Sequence, residues 1–361
     1  MWFRIIFAVG IILAGGAVYL AVCVSRFGAI RRLPHRWQRA LVSLAAVAAV
    51  FLIISRVLSF VSAAIAALHV LAFFLLFGLL FRIIFRVTKK EPRICWQGWC
   101  ALAVSLIYLS TAYYLCHHVW RTDYVLSTQK KVEPVRIAMF ADSHVGTTFD
   151  GDGFAEHVET IKAQNPDIVV IAGDFIDDWS ESDDIVRACA ALGTIDVKYG
   201  VWYAYGNHDK GTYRKRAFSA EQLAAELEKN NVHILEDEVA YAGDLCIVGR
   251  ADGWSGQRMD LSELLEGADT DKYIVVIDHE PADFENESKT AADLVLSGHT
   301  HGGYLFPFNG MGMLLGLDDL NYGREDRNGT TFLVTSGMSN WQMDFKTGTK
   351  SEYVMIEIQG Q

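Results

Sequence analysis

Val135-Arg136-Ile137-Ala138-Met139-Phe140-Ala141-Asp142-Ser143-His144 reads as a short buried strand that stops abruptly in a polar block. An apolar run of this length, closed by polar residues, suits a strand covered on both faces. The same punctuation recurs downstream. Asp167–Ala172 ends in Gly173-Asp174, and Gly200–Tyr205 ends in Gly206-Asn207-His208-Asp209. Tyr273–Ile277 runs into Asp278-His279-Glu280, and Leu294–Leu296 into Ser297-Gly298-His299-Thr300-His301-Gly302. Leu245–Gly249, Thr331–Thr335 and Tyr353–Ile358 are further strand candidates, while Phe154–Gln164, Asp184–Leu192 and Ala220–Lys229 have helical character. Strands alternating with helices predict layered α/β packing around a buried sheet. Ligand sites in open α/β sheets form beyond the carboxyl ends of strands. The polar blocks are therefore expected to converge on one sheet edge.

Asp, His and Asn in this order suit divalent ions that accept mixed imidazole and oxygen ligands, such as manganese, iron or zinc. Asp142 and His144 are two residues apart, so a loop at a strand end can turn both toward one ion. Asp174 is placed to bridge two ions through its two carboxylate oxygens. Asn207 offers an amide oxygen, and His279, His299 and His301 offer imidazoles. A pair of ions ~3.5–4 Å apart clamps a phosphoryl group and activates water for in-line attack. His208 is then left to protonate the leaving oxygen or stabilise charge there, with Asp209 expected to orient its ring. Other polar residues receive plainer readings. Asp177 and Asp178 read more readily as a solvated, helix-capping pair than as supports for the site, Asp252 as a loop residue, and His157 and His233 as surface histidines.

Taken together the blocks D-x-H, G-D, G-N-H-D, a later H and G-H-x-H resemble the signature motifs of the calcineurin-like metallophosphoesterases, over roughly Val135–Gln361. Ser297-Gly298-His299-Thr300-His301-Gly302-Gly303 followed by Phe306-Pro307 is similar to the membrane-anchored and exported bacterial branch. The resemblance implies a four-layer α/β/β/α sandwich. It implies Asp142, His144, Asp174 and His301 as ligands of one ion, and Asp174, Asn207, His279 and His299 as ligands of the other. His208 matches the histidine that acts on the leaving group. Two departures stand out. Exported relatives often carry Gln where this chain has Tyr304, and Ser336–Trp341 resembles the corresponding Gly-rich stretch only loosely.

The first third of the chain has another character. Residues 1–123 hold 13 Lys and Arg against two acids, whereas residues 124–361 hold 19 basic and 41 acidic residues. The acidic part lacks the basic surface that nucleic-acid backbones require, so no nucleic-acid partner is expected. Ile5–Val24, Ala40–Phe60, Ala63–Phe81 and Trp99–Cys116 are apolar runs near the ~20 residues that cross a bilayer. Trp37, Trp96, Trp99 and Trp120 sit at their ends, as interfacial aromatics do. The expected organisation is an all-α transmembrane region over 1–120, a linker over 121–134 and the catalytic domain over 135–361. Arg26, Arg31, Arg32, Arg36 and Arg39 form one basic loop, and Arg82, Arg86, Lys89, Lys90 and Arg93 another. The positive-inside rule puts both in the cytoplasm and the catalytic domain on the outer face of a multi-pass membrane protein. His69 lies within a span and reads equally as a functional group or as a helix–helix hydrogen bond.

Cysteine spacing gives no CxxC motif, and only Cys189 and Cys246 fall in the acidic part, where a disulfide between them is conceivable. Asn309–Asn328, rich in Gly and Asn, reads as a long loop or lid. The functional expectation is a membrane-bound hydrolase of a phosphate ester or anhydride, with phospholipids and lipid-linked or envelope phosphates among its candidate substrates. The alternative is a membrane sensor or scaffold that binds metal without turnover. A transporter fits less well, because the spans carry almost no acidic residues.

Overall fold

In the computed structural model, which describes residues 2–89, 94–211, 216–253 and 258–360, the strand that opens the sequence argument is β2 (Val135–Phe140). Its side chains alternate between two apolar layers. Ala138 and Phe140 pack with Phe154, Val158, Ile185 and Leu223 on one side, and Ile137, Met139 and Ala141 pack with Ile247, Val275 and Leu296 on the other. A strand buried on both faces has no reason to alternate polar and apolar residues, which is why it reads as an unbroken apolar run.

The acidic part of the chain builds two six-stranded mixed sheets. The first has the order β1 (Trp120–Ser127), β12 (Glu352–Gln359), β2, β3 (Ile168–Ala172), β4 (Val201–Ala204) and β5 (Val232–Leu235). β2 through β5 are parallel, and β12 is antiparallel to β2. The second has the order β10 (Gly323–Arg327), β11 (Thr330–Val334), β9 (Leu294–Ser297), β8 (Tyr273–Ile277), β7 (Leu245–Gly249) and β6 (Glu238–Ala242). One apolar layer lies between the sheets. A second lies between the first sheet and helices α6 (Gly151–Lys162), α7 (Ser182–Leu192) and α8 (Ala220–Lys229). A third covers the outer face of the second sheet, where single-turn helices contribute Leu261, Leu264 and Phe284. The expected α/β/β/α sandwich is present.

Several elements differ from expectation. Most of β1 falls in the stretch expected to be a linker, yet it pairs with β12 from Trp120↔Glu352 to Ser127↔Gln359. The end of the expected long loop is β10, Gly-Arg-Glu-Asp-Arg, a charged edge strand. Edge strands carry charge that blocks further pairing, and that charge hides them from hydropathy patterns. Cys189 belongs to the layer under the helices and Cys246 to the layer outside the second sheet; both are free, so the conceivable disulfide does not form.

The remaining residues, through Tyr113 and with Gln342–Asp344, form a separate compact unit. Its long helices are α1 (Trp2–Val24), α3 (Arg36–Val57), α4 (Phe60–Thr88) and α5 (Trp96–His117), with α2 (Gly28–Arg31) a single turn. All four long ones are apolar enough to cross a membrane. Leu20, Phe74 and Ala101 pack inside, while Leu52, Ile53, Leu76, Leu79, Leu106 and Ile107 stay exposed. Such an outward-facing apolar surface suits lipid as solvent. His69 Nδ1 lies 2.8 Å from the Ile65 carbonyl and its ring stacks on Tyr108 of α5, a helix–helix contact. Of the two basic loops, Lys90 and Arg93 lie outside the described residues.

One buried ion network steadies the second sheet near its carboxyl edge. Arg250 is fully buried, and its Nη1 lies 2.9 Å from Asp283, 2.9 Å from Glu287 and 3.2 Å from Asp278. Burial pushes the Asp278 carboxyl up, but Arg258 and Arg250 outweigh it and hold the group below its ordinary range. Removing one member strands buried charge, which typically costs about 3–5 kcal/mol. Arg250→Ala is expected to lower the unfolding free energy by about that amount, read from denaturant midpoints of the purified chain in detergent.

Candidate metal centre

All five polar blocks meet at the carboxyl edges of the two sheets. β2 delivers Asp142 and His144, β3 Asp174, β4 Asn207 and His208, β8 His279, and β9 His299 and His301. The Asp142 N–H donates to the Gly173 carbonyl at 3.0 Å and the His144 N–H to the Asp174 carbonyl at 3.1 Å, so the β2 and β3 loops continue the parallel pairing. The Asp142 carboxylate reaches across to the other sheet and accepts the His299 N–H at 3.0 Å on both oxygens. Close approach leaves no room for larger residues. A Cβ on Gly173, whose φ is +78°, would meet His279 Nδ1 at 2.5 Å, and one on Gly298 would meet Asp142 Oδ2 at 2.5 Å.

Backbone strain concentrates here. Asp142, His144, Asp174, His299 and His301 all have positive φ, from 37° to 69°. Non-glycine residues adopt that region at a cost, and they persist in it where a site demands a side-chain direction that a relaxed loop would not give.

Among the described residues three groups of donors could each hold a metal ion: Asp142, His144 and His301; Asp174, His279 and His299; and His144, Asp177 and His208. In the first, His144 Nε2 and His301 Nε2 are 3.3 Å apart, and His301 Nε2 is 3.7 Å from Asp142 Oδ1. In the second, Asn207 Oδ1 lies 3.3 Å from His279 Nε2 and 3.1 Å from His299 Nδ1. Asp174 joins the groups. Its Oδ2 is 3.6 Å from His144 Nε2 and 3.3 Å from His279 Nε2, while its Oδ1 accepts the His208 N–H at 2.8 Å. Asp174 Oδ2 thus faces His144 and His279 together, while Oδ1 accepts one backbone N–H and keeps a second lone pair.

The donor set fits divalent ions. His279 Nδ1 is held by the Ala172 carbonyl at 2.8 Å and His301 Nδ1 by the Ser339 carbonyl at 3.3 Å, so Nε2 of each ring faces inward. Fixing the far nitrogen in this way sets the tautomer a metal ligand needs. The electrostatics call for positive charge. Burial lowers His279, but the Asp174 carboxylate outweighs it and lifts the ring well above its ordinary value. Burial likewise raises Asp174, and His279 and His144 overturn this and keep it ionised. Burial, opposed by His279 and aided by Asp174, raises Asp142 to about 6. Metal ions would displace the protons these rings and carboxylates hold.

Three side chains behave differently from their sequence reading. Asp177 is fully buried rather than solvated, and its Oδ2 lies 3.3 Å from His144 Nδ1. A carboxylate behind the ring of a candidate metal ligand is a common support at metal sites; only its place three residues after Asp174 signals it in the sequence. Asp209 does not orient the His208 ring. Its oxygens accept the N–H groups of Asp174, Gly206 and Ile176 at 2.8, 2.8 and 3.1 Å, tying the β3 and β4 loops together. The His208 ring instead faces Asp177 and Asp178, with Nδ1 at 3.8 and 3.9 Å, and packs against Trp341 at 5.2 Å. Ser339 and Trp341 thus give the loosely matching Ser336–Trp341 stretch a place at the site. Tyr304, the departure from the exported pattern, packs on the His301 ring at 4.7 Å. Asp252 is buried, while His233 is exposed and stacks on Trp202.

The fold and this edge of clustered Asp, His and Asn agree with comparison to known sequences, in which residues 135–303 match the calcineurin-like phosphoesterases. Residues 135–303 belong to that family. Over 273 residues the chain is 28% identical to an uncharacterized metallophosphoesterase of Campylobacter jejuni, covering 72% of this chain and 68% of that one. It is 28% identical over 239 residues to a transmembrane protein with metallophosphoesterase domain from Bos taurus, covering 62% and 53%. An uncharacterized metallophosphoesterase of Aquifex aeolicus is 26% identical over 246 residues, covering 66% and 90%. The match thus spans about half the length of the bovine relative. The metallophosphoesterase family consists of metal-using hydrolases of phosphate esters.

The support beneath this candidate metal site is testable at Asp177. Asp177→Asn is expected to weaken metal binding roughly 10–100-fold, the usual effect of losing a carboxylate behind a ligating histidine. Titration of the purified protein with Mn²⁺ reads this directly. Activity should return at raised metal concentration, whereas loss of a group acting on substrate would not be rescued.

Proposed function

We propose that this chain is an integral-membrane phosphoester hydrolase whose centre takes two divalent ions, manganese, iron or zinc. The observation that supports it most is Asp174 Oδ2, which faces His144 of one donor group and His279 of the other. Asp142, His144, Asp174 and His301 would hold one ion, and Asp174, Asn207, His279 and His299 the second. When bound, such a pair supplies charge neutralisation and water activation at a phosphoryl group. The chain's own residues do the rest. Asp177 keeps the His144 ring turned so that Nε2 faces inward. Asp209 locks two strand-end loops at their hydrogen-bonded spacing. His208, beside Asp177 and Asp178, offers a ring N–H to the leaving oxygen.

Phosphate esters and anhydrides are the substrate class, and phospholipids or lipid-linked phosphates suit a domain tethered to bilayer-length helices. The excess of arginine in the two basic loops favours the outer face for this domain. The test is an assay of the full chain in detergent with Mn²⁺, Fe²⁺ or Zn²⁺ against aryl phosphomonoesters, diesters and pyrophosphates. Turnover of at least one class is expected, lost on chelation and restored by metal. Binding of two ions with no turnover of any class would favour the sensor or scaffold. A C-terminal reporter active only outside the cytoplasm tests orientation separately.

A further inference from the structure

Between β9 and β10 of the second sheet lies a segment that exposes more apolar surface than the rest of the acidic part of the chain. Phe306, Phe308, Leu314, Leu315 and Leu317 are 61–78% exposed, with Met311 and Met313 beside them. No charged residue occurs from Tyr304 to Leu317; the first are Asp318 and Asp319. A contiguous exposed apolar patch on a water-soluble surface marks an interaction site.

The segment is built rather than loose. At its start the Phe306 N–H donates to Thr347 Oγ1 at 2.8 Å. At its end the Asp319 N–H donates to the Pro281 carbonyl at 2.7 Å, and Asp319 Oδ2 accepts the Phe284 N–H at 2.9 Å. Between these anchors the N–H groups of Phe308, Met311, Leu314, Leu315, Gly316 and Leu317 all bond to carbonyls of the segment itself. A loop that presents apolar side chains while pairing many of its backbone donors within itself lowers the cost of contact with hydrocarbon, where unpaired N–H groups are costly.

We propose that Phe306–Leu317 is a bilayer-dipping loop, inserting its Phe, Met and Leu side chains at the boundary between headgroups and acyl chains. The bilayer is the partner chosen because the same chain carries four membrane-length helices, and α5 ends only two residues before β1. The chemistry is apolar rather than electrostatic, since the flanking charges are acidic and would repel anionic headgroups. Through Tyr304, which packs on His301, the loop is continuous with the metal centre. Insertion would hold that centre at the depth of lipid phosphates. The inference concerns lipid contact and does not depend on turnover.

The experiment places the photo-crosslinking residue benzoylphenylalanine at Leu314, or at the exposed Tyr241 of β6 as control. Each full-length variant is reconstituted in vesicles of alkyne-tagged phosphatidylcholine and irradiated. Lipid labelling at position 314 is expected to exceed that at 241 by ~10-fold and to be unchanged at high salt, as for insertion driven by apolar area. Equal labelling at both positions would overturn the proposal. So would crosslinking of position 314 to a second copy of the chain instead of lipid.

Discussion

Asp174→Asn is expected to lower phosphoester hydrolysis by on the order of 10³-fold or more, a larger loss than that from removing a single electrostatic stabiliser. The argument rests on what the two carboxylate oxygens do. Oδ1 accepts the His208 N–H at 2.8 Å, and an amide oxygen can replace it there. The amide NH₂ must then occupy the Oδ2 position, 3.3 Å from His279 Nε2 and 3.6 Å from His144 Nε2. A donor would thus stand where both groups need an acceptor, and a negative charge shared between them would be gone. The strand-end loop should survive, because Asp209 holds the Asp174 N–H through its own carboxylate. The measurement is kcat/KM for an aryl phosphodiester at saturating Mn²⁺, with metal content determined on the same sample. Turnover within tenfold of the parent chain would remove Asp174 from the bridging role and the two-ion proposal with it.

The ligand-type residues were readable because each closes a buried strand, and an unbroken apolar run followed by Asp or His has few purely structural explanations. Their convergence follows from parallel pairing of β2, β3 and β4, which brings successive strand ends to one edge. Supports were harder to read. Asp177 and Asp178 look alike in sequence, and nothing local marks either carboxylate as buried rather than solvated. Asp209 follows His208 directly, which suggested contact with its neighbour's ring; the tight turn points it instead at three backbone amides. Edge elements escaped for the opposite reason. β1 alternates exposed and half-buried residues and β10 is polar throughout, so neither stands out from loop. The Gly and Asn of 309–328 announced a loop correctly in part, while its exposed Met and Leu side chains carry meaning only once their exposure is known.

His208 carries the other large effect. Burial, reinforced by His144 and His279 and opposed by Asp174 and Asp177, pulls its ring down to about 4. Below that pH the ring is charged; at pH 6–8 it is neutral, and nearby cations would lower it further. His208 therefore meets substrate as a neutral N–H donor. Such a donor matters most when the departing oxygen would otherwise carry full charge, so its worth depends on the leaving group. His208→Ala is expected to lower kcat by ~10²–10³-fold for an alkyl phosphate ester and by roughly tenfold for a nitrophenyl ester, with KM little changed. His208→Gln, which keeps an N–H, should recover part of the loss. Between pH 6 and 8 the parent chain should show no ionisation that disappears in His208→Gln. If such a limb is found, the ring works as an imidazolium acid. If the two esters suffer equally from His208→Ala, it acts on the phosphoryl oxygens rather than on the leaving one.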